Sequence, residues 1–585
     1  MCPHLTHQFV ILKSEILRRI RVMDRKIKKR ARIIQLFINL LFIGLIGYLF
    51  CSQIFDFDDY KQRGIAIRTT ENITLRGDIK DRNGNILATD RLTYEVYAHP
   101  ESYSEKYPPE KLADELYQDL GMTKGELLAK LKSRKHNIIT VKKNLNRATA
   151  DKVRKHGFRA ISVGTIKQRF YPQDNIASHI IGYYSYLSEN SEGIENIAKD
   201  QLEDVKNIQK VQKKANGDII FDLDTDILNV TKNQKGKDVT LTIDSAVQYV
   251  CQRELAKTIK ETKAERGTVI VTDVKTGEIL AYASYPDFNP NKFWKTSPVN
   301  MKNWSLTDVY PPGSTFKIIT VATALDLGAI NEYSKIPDSG KITLDKHTTI
   351  YNNDYKVHPH PGMITLDYLF QHSSNVGSIN IALMLNKNAY YSKLKEFGFG
   401  KKTGIDLTAE SIGLLPKPIL WYKSRQASMG YGYGASVTAI QMISAISAIA
   451  NGGVWITPHV IKYSPEELPN HVVHRRVVSE ETAKSVTRLL AKSITEGKTP
   501  LNLEKYTTCA KTGTSNKYYK KGGPVYASAI GYFPSTAPKI AIYVVIDAPK
   551  TGNDFGGTIA SPLFRKLATD IGTLLNIPAD KQNKD

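Results

Sequence analysis

One stretch of the 585-residue chain constrains its fold more than any other. Residues 33–52, IIQLFINLLFIGLIGYLFCS, carry no charge and are almost wholly apolar. In a helix that rises about 1.5 Å per residue, a run of this length crosses a hydrocarbon core about 30 Å thick. The run therefore predicts a single transmembrane helix over residues 33–52. The alternative interpretation is a helix buried in a protein core.

The residues before this run are strongly basic. Nine arginines and lysines lie between positions 18 and 32. Positive flanks of a membrane span stay in the cytoplasm, so residues 1–32 are predicted to form a short cytoplasmic segment. Everything after residue 52 is then predicted to lie outside an inner, cytoplasmic membrane. Met23 opens the sequence MDRKIKKRAR, so both Met1 and Met23 fit as the start of translation.

Composition limits the remaining classes of function. The chain is 41% hydrophobic and 24% charged, which is typical of globular proteins. A formal net charge of +23 raises the question of nucleic-acid binding. However, the basic residues are dispersed and no nucleic-acid-binding motif accompanies them, so we expect a basic surface that faces an anionic envelope. The four cysteines are too scattered for a disulfide framework or a zinc site, and no metal site is predicted.

The part of the chain after the apolar run divides into two patterns. Residues 53–235 alternate short β-like runs with polar stretches, and residues 76–100 predict two strands joined by an Asn-Gly turn. In residues 236–575, strands near both ends enclose a mainly helical middle. This order predicts an α/β (α+β) domain with a central antiparallel sheet flanked by helices. The polar residues 576–585 are predicted to form a flexible tail.

The first motif that carries chemistry is Ser314-Thr-Phe-Lys317. Residues three apart share a face of a helix, so the amine of Lys317 is expected beside the hydroxyl of Ser314. A serine needs a base to become a nucleophile, and a lysine is such a base only when burial or a nearby cation lowers its pKa. The apolar residues around Lys317 predict burial. Pro311-Pro312-Gly313 is expected to leave Ser314 at a helix N-terminus, which favours developing negative charge.

The Ser-x-x-Lys spacing alone is weak evidence, because Ser392 and Lys395 share it on what reads as a solvated helix. Two further motifs follow in order, Ser373-Ser374-Asn375 and Lys511-Thr512-Gly513-Thr514. Repeats of these short motifs occur elsewhere, as S-x-N at 188–190 and as K-T-G at Lys275, Lys402 and Lys550. Only Lys511 lies in a β-prone run after both other motifs, so the ordered triple ends there.

The ordered triple is typical of β-lactamases and penicillin-binding proteins. Longer segments extend the likeness: NWSLTDVYPPGSTFK, FGFGKKTGIDL, GYGASVTAIQMISAISAIANGG, RGDIKDRNGNILA and RFYPQDNIASHIIGY. Through them the chain resembles class B penicillin-binding proteins, especially the division-specific FtsI type, over nearly all of residues 60–570. Ala510 and Ser515 depart from the residues common at these positions, and neither change removes a functional group.

The resemblance implies a role for each member of the three motifs. Ser314 resembles the acylated nucleophile, and Lys317 resembles its base. Ser373 and Asn375 resemble the pair that relays the proton and holds the substrate amide. Lys511 resembles the second cation, which keeps Lys317 neutral.

The resemblance also implies how the substrate is held and how the chain is divided. Thr512, Gly513 and Thr514 resemble the segment that binds the substrate's terminal carboxylate, and the N–H groups of Ser314 and Thr514 resemble an oxyanion hole. Residues 53–235 correspond to an elongated, dimerisation-like pedestal domain. Residues 236–575 correspond to the penicillin-binding transpeptidase domain. The family uses neither a metal nor an organic cofactor.

The implied reaction is the crosslinking of peptidoglycan. A stem peptide ending in D-Ala-D-Ala acylates the serine, and an amine of a neighbouring stem then takes the acyl group. The implied setting is septal wall synthesis, with β-lactams as ligands and a SEDS-type glycosyltransferase and other divisome membrane proteins as partners. The alternatives are an elongation-type protein of the same class, a β-lactamase or carboxypeptidase, and a membrane β-lactam sensor or division scaffold. The intact triple disfavours a scaffold.

Overall fold

The computed structural model describes residues 75–133, 137–204, 235–357, 360, 362–497, 499–517 and 522–581. It also describes residues 36–48, a few positions before them, and strand residues 70–72, 210–213 and 219–220. The chain forms two compact units. The first comprises residues 1–73, 94–165 and 209–227, and the second comprises residues 74–93, 166–208 and 228–585. The predicted pedestal region therefore contributes chain to both units.

The first unit packs helices against strands around its own small core. Within residues 94–165 its described α-helices are Pro109–Leu116, Lys124–Leu131 and Arg147–Lys155. Strand Ile139–Leu145 pairs antiparallel with the second half of strand Ile86–Ala98. Thr123 and Asn146 cap two of the helices by accepting backbone N–H groups, and apolar side chains such as Leu112 and Val141 are buried between the elements.

A five-stranded antiparallel sheet forms the centre of the second unit. Its strands, in spatial order, are Ile279–Tyr285, Arg266–Asp273, Ile540–Asp547, Val525–Phe533 and Cys509–Asn516. Every residue of Ile540–Asp547 is buried, as expected for a strand covered on both faces. The predicted central antiparallel sheet is confirmed, with strands from both ends of the domain. Cys509–Asn516, which carries the Lys511 motif, is an edge strand of this sheet.

Helices cover both faces of the sheet. Ser245–Thr262 and Gly556–Leu574 share one apolar core with it. Ala439–Ala450 packs on the other face, in an apolar core that also contains residues of Lys317–Asp326. Every residue of Ala439–Ala450 is buried, because most of its side chains are apolar and buried Gln441 and Ser444 make hydrogen bonds to backbone carbonyl oxygens. The other described α-helices of this unit with at least seven residues are Leu366–His372, Asn375–Met384, Lys387–Glu396, Lys423–Gly430 and Glu480–Glu496.

Small antiparallel pairs of strands complete this unit. They are Ile336–Asp338 with Gly362–Ile364, Lys341–Asp345 with Thr348–Tyr351, Val454–Ile456 with His474–Arg476, and Tyr183–Tyr184 with Ser191–Glu192. The hairpin predicted within residues 76–100 is present as Ile79–Lys80 paired with the start of Ile86–Ala98. Asp81 shapes its turn by accepting the N–H groups of Asn83 and Asn85.

Two of the segments quoted for the family likeness meet in a buried ion network. Glu195 accepts from Arg76 at 3.1 Å and from Arg169 at 2.6 Å, and Arg169 also contacts Asp90 at 3.1 Å. All four side chains are 2% exposed or less. Buried charges are tolerated only when they are paired in this way. The ion pairs of the two arginines therefore hold these two segments together.

The ends of the chain bear on two predictions. Of the predicted span 33–52, the structure describes residue 33 and residues 36–48, which are helical, and the rest lies outside the described residues. No helix among the described residues is long and apolar enough to cross a membrane. Part of the predicted flexible tail is docked. Ile577 is 7% exposed, and Asp580 accepts the N–H of Thr507 at 2.7 Å. Residues 577–580 therefore lie against the loop that precedes the edge strand.

Candidate active site

Ser314 lies in a tight turn that approaches the edge strand Cys509–Asn516. The turn is the 3-10 helix Gly313–Phe316, and helix Lys317–Asp326 follows it without a break. Gly313 has φ +58°, a left-handed conformation that glycine adopts readily. A side chain there would place its Cβ only 3.1 Å from the carbonyl oxygen of Thr514. The glycine therefore lets the serine turn and the edge strand meet backbone to backbone.

Lys317 is wholly buried, as its apolar neighbours predict. Its Nζ donates to the carbonyl oxygen of Ser373 at 2.6 Å and to Oδ1 of Asn375 at 2.7 Å. Oγ of Ser373 lies 3.2 Å away. Within the part of the chain that the structure describes, no hydrogen bond joins this amine to Ser314. Ser373 and Asn375 of the second motif thus both lie within hydrogen-bonding distance of Nζ of Lys317.

The surroundings of Lys317 favour its neutral form. Burial lowers its pKa well below the ordinary value, and the positive charge of Lys511 lowers it further. The carboxylates of Asp338 and Asp354 act in the opposite direction and are weaker. A neutral lysine amine has two N–H groups and one lone pair. The two carbonyl oxygens take both N–H groups, which leaves the lone pair for a hydroxyl.

The Ser373-Ser374-Asn375 turn joins two helices, Leu366–His372 and Asn375–Met384. Ser373 is left-handed, with φ +54°, a strained conformation for a residue with a side chain. Ser374 provides the helix cap, because its hydroxyl accepts the N–H of Gly377 at 2.8 Å. Capping therefore belongs to Ser374, and the hydroxyl of Ser373 remains for Lys317.

Residues 511–514 alternate along the edge strand. Lys511 and Gly513 are buried, while Thr512 and Thr514 are half-buried, as the period of two in a strand requires. Burial lowers the pKa of Lys511 to about 8, so it keeps most of its charge at neutral pH.

Polar contacts tie this strand to its surroundings. Thr514 Oγ1 accepts the N–H of Gly556 at 2.9 Å. Ser515, one of the two departures from the family pattern, donates to the carbonyl oxygen of Pro311 at 2.6 Å. This bond links the edge strand to the segment that precedes Ser314, so the serine at this position has a structural partner.

The repeated motifs that were set aside lie elsewhere. Ser392 is exposed, and Lys395 donates to the carbonyl of its neighbour Gly400 at 2.8 Å. The other K-T-G lysines, Lys275, Lys402 and Lys550, are all exposed, as are residues 188–190. None of these residues has the burial that changes the chemistry of Lys317.

Two tyrosines of the site were not found from the sequence. The carbonyl of Tyr351 accepts Nδ2 of Asn375 at 2.9 Å, which turns Oδ1 of that amide toward Lys317. The hydroxyl of Tyr433 accepts the N–H of Asn516 at 3.1 Å, at the end of the edge strand. No sequence spacing indicates either tyrosine, because each contacts a residue more than twenty positions away in the chain. Among the described residues, no group of three or more His, Cys, Asp and Glu side chains is placed to hold a metal.

Comparisons with known proteins show the family to which the chain belongs. The profile of the penicillin binding protein transpeptidase domain matches residues 267–569, and that of the penicillin-binding protein dimerisation domain matches residues 72–241. The chain belongs to the class B penicillin-binding proteins. Stage V sporulation protein D of Bacillus subtilis is 31% identical to this penicillin-binding protein, over 85% of the chain and 77% of that protein.

Further relatives cover most of the chain. The peptidoglycan D,D-transpeptidase FtsI of Escherichia coli K12 is 28% identical, over 88% of the chain and 86% of that protein. The probable peptidoglycan D,D-transpeptidase PenA of Neisseria meningitidis is 28% identical over 97% of both chains. Penicillin binding protein 2X from Streptococcus thermophilus shares the fold, with a TM-score of 0.69 at 21% identity over 87% of the chain and 81% of that structure. The predicted family and its transpeptidase domain are confirmed.

Proposed function

We propose that this penicillin-binding protein is a peptidoglycan D,D-transpeptidase that works through an acyl-enzyme on Ser314. The observation that carries the proposal is the environment of Lys317. Its amine is buried, its two N–H groups are directed to carbonyl oxygens, and the charge of Lys511 disfavours a third proton. Such an amine accepts a proton from a hydroxyl at neutral pH.

In the first step, Ser314 Oγ attacks the carbonyl carbon of the penultimate D-alanine of a stem peptide while Lys317 takes its proton. The N–H groups of Ser314 and Thr514 stabilise the developing oxyanion. The hydroxyl of Ser373 passes the proton to the leaving nitrogen, the peptide bond breaks, and terminal D-alanine departs as a free amine.

In the second step, an amine of a neighbouring stem attacks the ester carbon. That amine loses a proton, Ser314 Oγ regains one, and a new peptide bond joins the two stems. During the first step, before the terminal D-alanine departs, Thr512, Gly513 and Thr514 hold its carboxylate, beside the charge of Lys511. Asn375 holds the donor's amide group. No metal or organic cofactor takes part in either step.

Labelling with a fluorescent penicillin tests the nucleophile. The wild-type protein is expected to carry a stable adduct at Ser314, and Ser314→Ala is expected to carry none. Ser392→Ala, in the exposed repeat of the same spacing, serves as the control and should label normally. An adduct mapped to another serine would exclude the proposed acyl-enzyme. Crosslinked stem dimers, rather than trimmed monomers, distinguish a transpeptidase from a carboxypeptidase.

The proposed location is an inner membrane, with residues 1–32 in the cytoplasm, 33–52 as a single span and the catalytic domain outside. The apolar run and the basic residues before it support this topology. Residues 53–235 and 236–575 are the proposed pedestal and transpeptidase domains. Protease added outside intact cells stripped of their outer layers should digest the chain beyond residue 52 and spare the leading segment. The reverse protection pattern would contradict the orientation.

The proposed setting is septal wall synthesis, together with a SEDS-type glycosyltransferase and other divisome membrane proteins. The naming of a similar protein as FtsI and the segments DVYPPGSTFK and GYGASVT support it. A fluorescent fusion is expected at midcell during division, and depletion is expected to give filaments. A lateral-wall pattern with rounding on depletion would favour the elongation type instead.

A further inference from the structure

Asp338 and Asn352 form a buried polar pair behind the turn that carries Ser373 and Asn375. They are 2% and 5% exposed. Asp338 ends strand Ile336–Asp338, and Asn352 follows strand Thr348–Tyr351. Nδ2 of Asn352 donates to both carboxylate oxygens of Asp338, at 2.9 and 3.0 Å. Because an ionised carboxylate only accepts hydrogen bonds, this contact fixes which way the amide of Asn352 faces.

The other end of that amide meets the start of helix Asn375–Met384. Oδ1 of Asn352 accepts the N–H of Asn375 at 2.8 Å and the N–H of Val376 at 3.0 Å. The first N–H groups of a helix have no partner within it. Ser374 caps the same helix and donates its hydroxyl to Asp338. The pair therefore anchors the helix start from outside, through two separate chain segments.

This anchoring determines where the side chain of Asn375 lies. Asn352 holds the backbone of Asn375, and the carbonyl of Tyr351 holds its Nδ2 at 2.9 Å. Oδ1 of Asn375 is then left 2.7 Å from Nζ of Lys317. The carbonyl of Ser373, one residue before the helix cap, contacts the same nitrogen at 2.6 Å.

We propose that Asp338 and Asn352 are positioning residues for acylation, which hold both carbonyl acceptors of Lys317 in place. Neither residue contacts the amine itself, and each acts through the turn 373–375. The proposal rests on the proposed acyl-enzyme at Ser314. If the pair is loosened, the turn can shift, and a misplacement of about 1 Å near the reacting groups can lower a rate about 100-fold.

Asp338 also has an electrostatic effect that separates positioning from simple stabilisation. The charged groups that act on Lys317 are Lys511 on the edge strand, which lowers its pKa, and Asp338 and Asp354, which raise it. Removing the charge of Asp338 should therefore move the rising limb of the acylation pH profile to lower pH. A residue that only supported the fold would change the melting temperature and leave that limb where it is.

The experiment compares acylation by fluorescent penicillin across pH for the wild type, Asp338→Asn and Asn352→Ala, alongside melting temperatures. Each single variant is expected to lower the maximal rate of the folded protein by about 10- to 100-fold. Asp338→Asn should also shift the rising limb to lower pH. The control is Asp345→Asn, the same change on the neighbouring hairpin, where the carboxylate is exposed and caps only its own turn. It is expected to behave as the wild type.

The double variant, Asp338→Asn with Asn352→Asp, gives a second test. It exchanges the two side chains, so it measures recovery of acylation and not loss. An aspartate at 352 can still accept both helix N–H groups, and an asparagine at 338 can donate to it, so partial recovery relative to the single variants is expected. Single variants that acylate within about twofold of the wild type would overturn the proposal. So would a loss of acylation that is explained entirely by a smaller fraction of folded protein, with the pH profile of Asp338→Asn unchanged. If the wild type itself is not labelled at Ser314, the proposed function fails instead.

Discussion

Replacing Lys511 with alanine tests how the buried base is kept neutral. The charge of Lys511 lowers the pKa of Lys317, so its removal should raise that pKa and leave more of the base protonated at neutral pH. The rising limb of the acylation profile should therefore move to higher pH. In the proposed mechanism this cation also lies beside the substrate carboxylate, and a lost electrostatic donor typically lowers a rate by about 100- to 1,000-fold. We expect a decrease of that size at neutral pH.

Stability should change far less than the rate. Burial holds the pKa of Lys511 at about 8, against an ordinary 10.5, a difference equivalent to about 3 kcal/mol. Because the folded pKa is the lower one, the unfolded chain binds more protons between these values. The destabilisation is thus fully present at neutral pH and disappears as the pH rises through 10.5. Alanine removes it but also removes three buried methylenes, worth about 2 kcal/mol, so the two effects nearly offset each other.

The assay is the rate of acylation by fluorescent penicillin from about pH 6 to about pH 10, with melting temperatures measured in parallel. Because burial lowers the pKa of Lys511 to about 8, the wild type should begin to lose this charge, and with it acylation rate, toward the alkaline end of that range. Lys550→Ala, in an exposed K-T-G, is the matched control and should leave both quantities unchanged. If folded Lys511→Ala protein is acylated at the wild-type rate, the reasoning is refuted. The functional K-T-G motif would then have to be one of the other three.

Two further predictions follow from backbone contacts around the edge strand. Gly556→Ala would place a Cβ 2.2 Å from the carbonyl oxygen of Gly513, so it should reduce penicillin labelling strongly, whereas Gly557→Ala, with no atom within 4 Å, should label normally; equal labelling of both would contradict the close packing. Asp580→Ala removes the acceptor of the Thr507 N–H and should lower the unfolding free energy by about 1–3 kcal/mol in denaturant titrations, while the acylation pH profile stays the same. A shifted profile would mean that the tail acts on the site.

The sequence predicted those parts of the site that depend on local spacing or on residue type. Ser314 and Lys317 lie on one turn, and the apolar residues after Lys317 predicted its burial. The choice of Lys511 among the K-T-G repeats depended on β-prone neighbours, and the exposed repeats support that choice. The sheet was predictable from residue type, because residues 540–546 form a continuous apolar run, which is typical of a strand buried on both faces.

Other features could not be predicted because they depend on contacts between distant segments. Ser374 was part of a recognised motif, yet its capping role appears only where two helices meet. Asn352 precedes Asn375 by more than twenty residues, in a segment with no motif. The docking of Asp580 also required a partner, Thr507, that a short polar tail does not reveal. Side-chain pairs of this kind follow from the fold and not from periodicity.

The geometry of the proposed oxyanion hole follows from glycines at the points where three elements meet. The serine turn approaches the edge strand at Gly313, and helix Gly556–Leu574 approaches it at Gly513. A Cβ at either position 313 or 556 would meet a backbone carbonyl of the strand, at 3.1 or 2.2 Å. Hydrogen bonds then lock both approaches, through Ser515 on one side and Thr514 on the other. Since backbone N–H groups are rigid and cannot be re-aimed like side chains, the distance between the N–H groups of Ser314 and Thr514 is set by these contacts. The same packing that holds the serine turn and the last helix against the edge strand therefore positions the two donors of the proposed oxyanion hole.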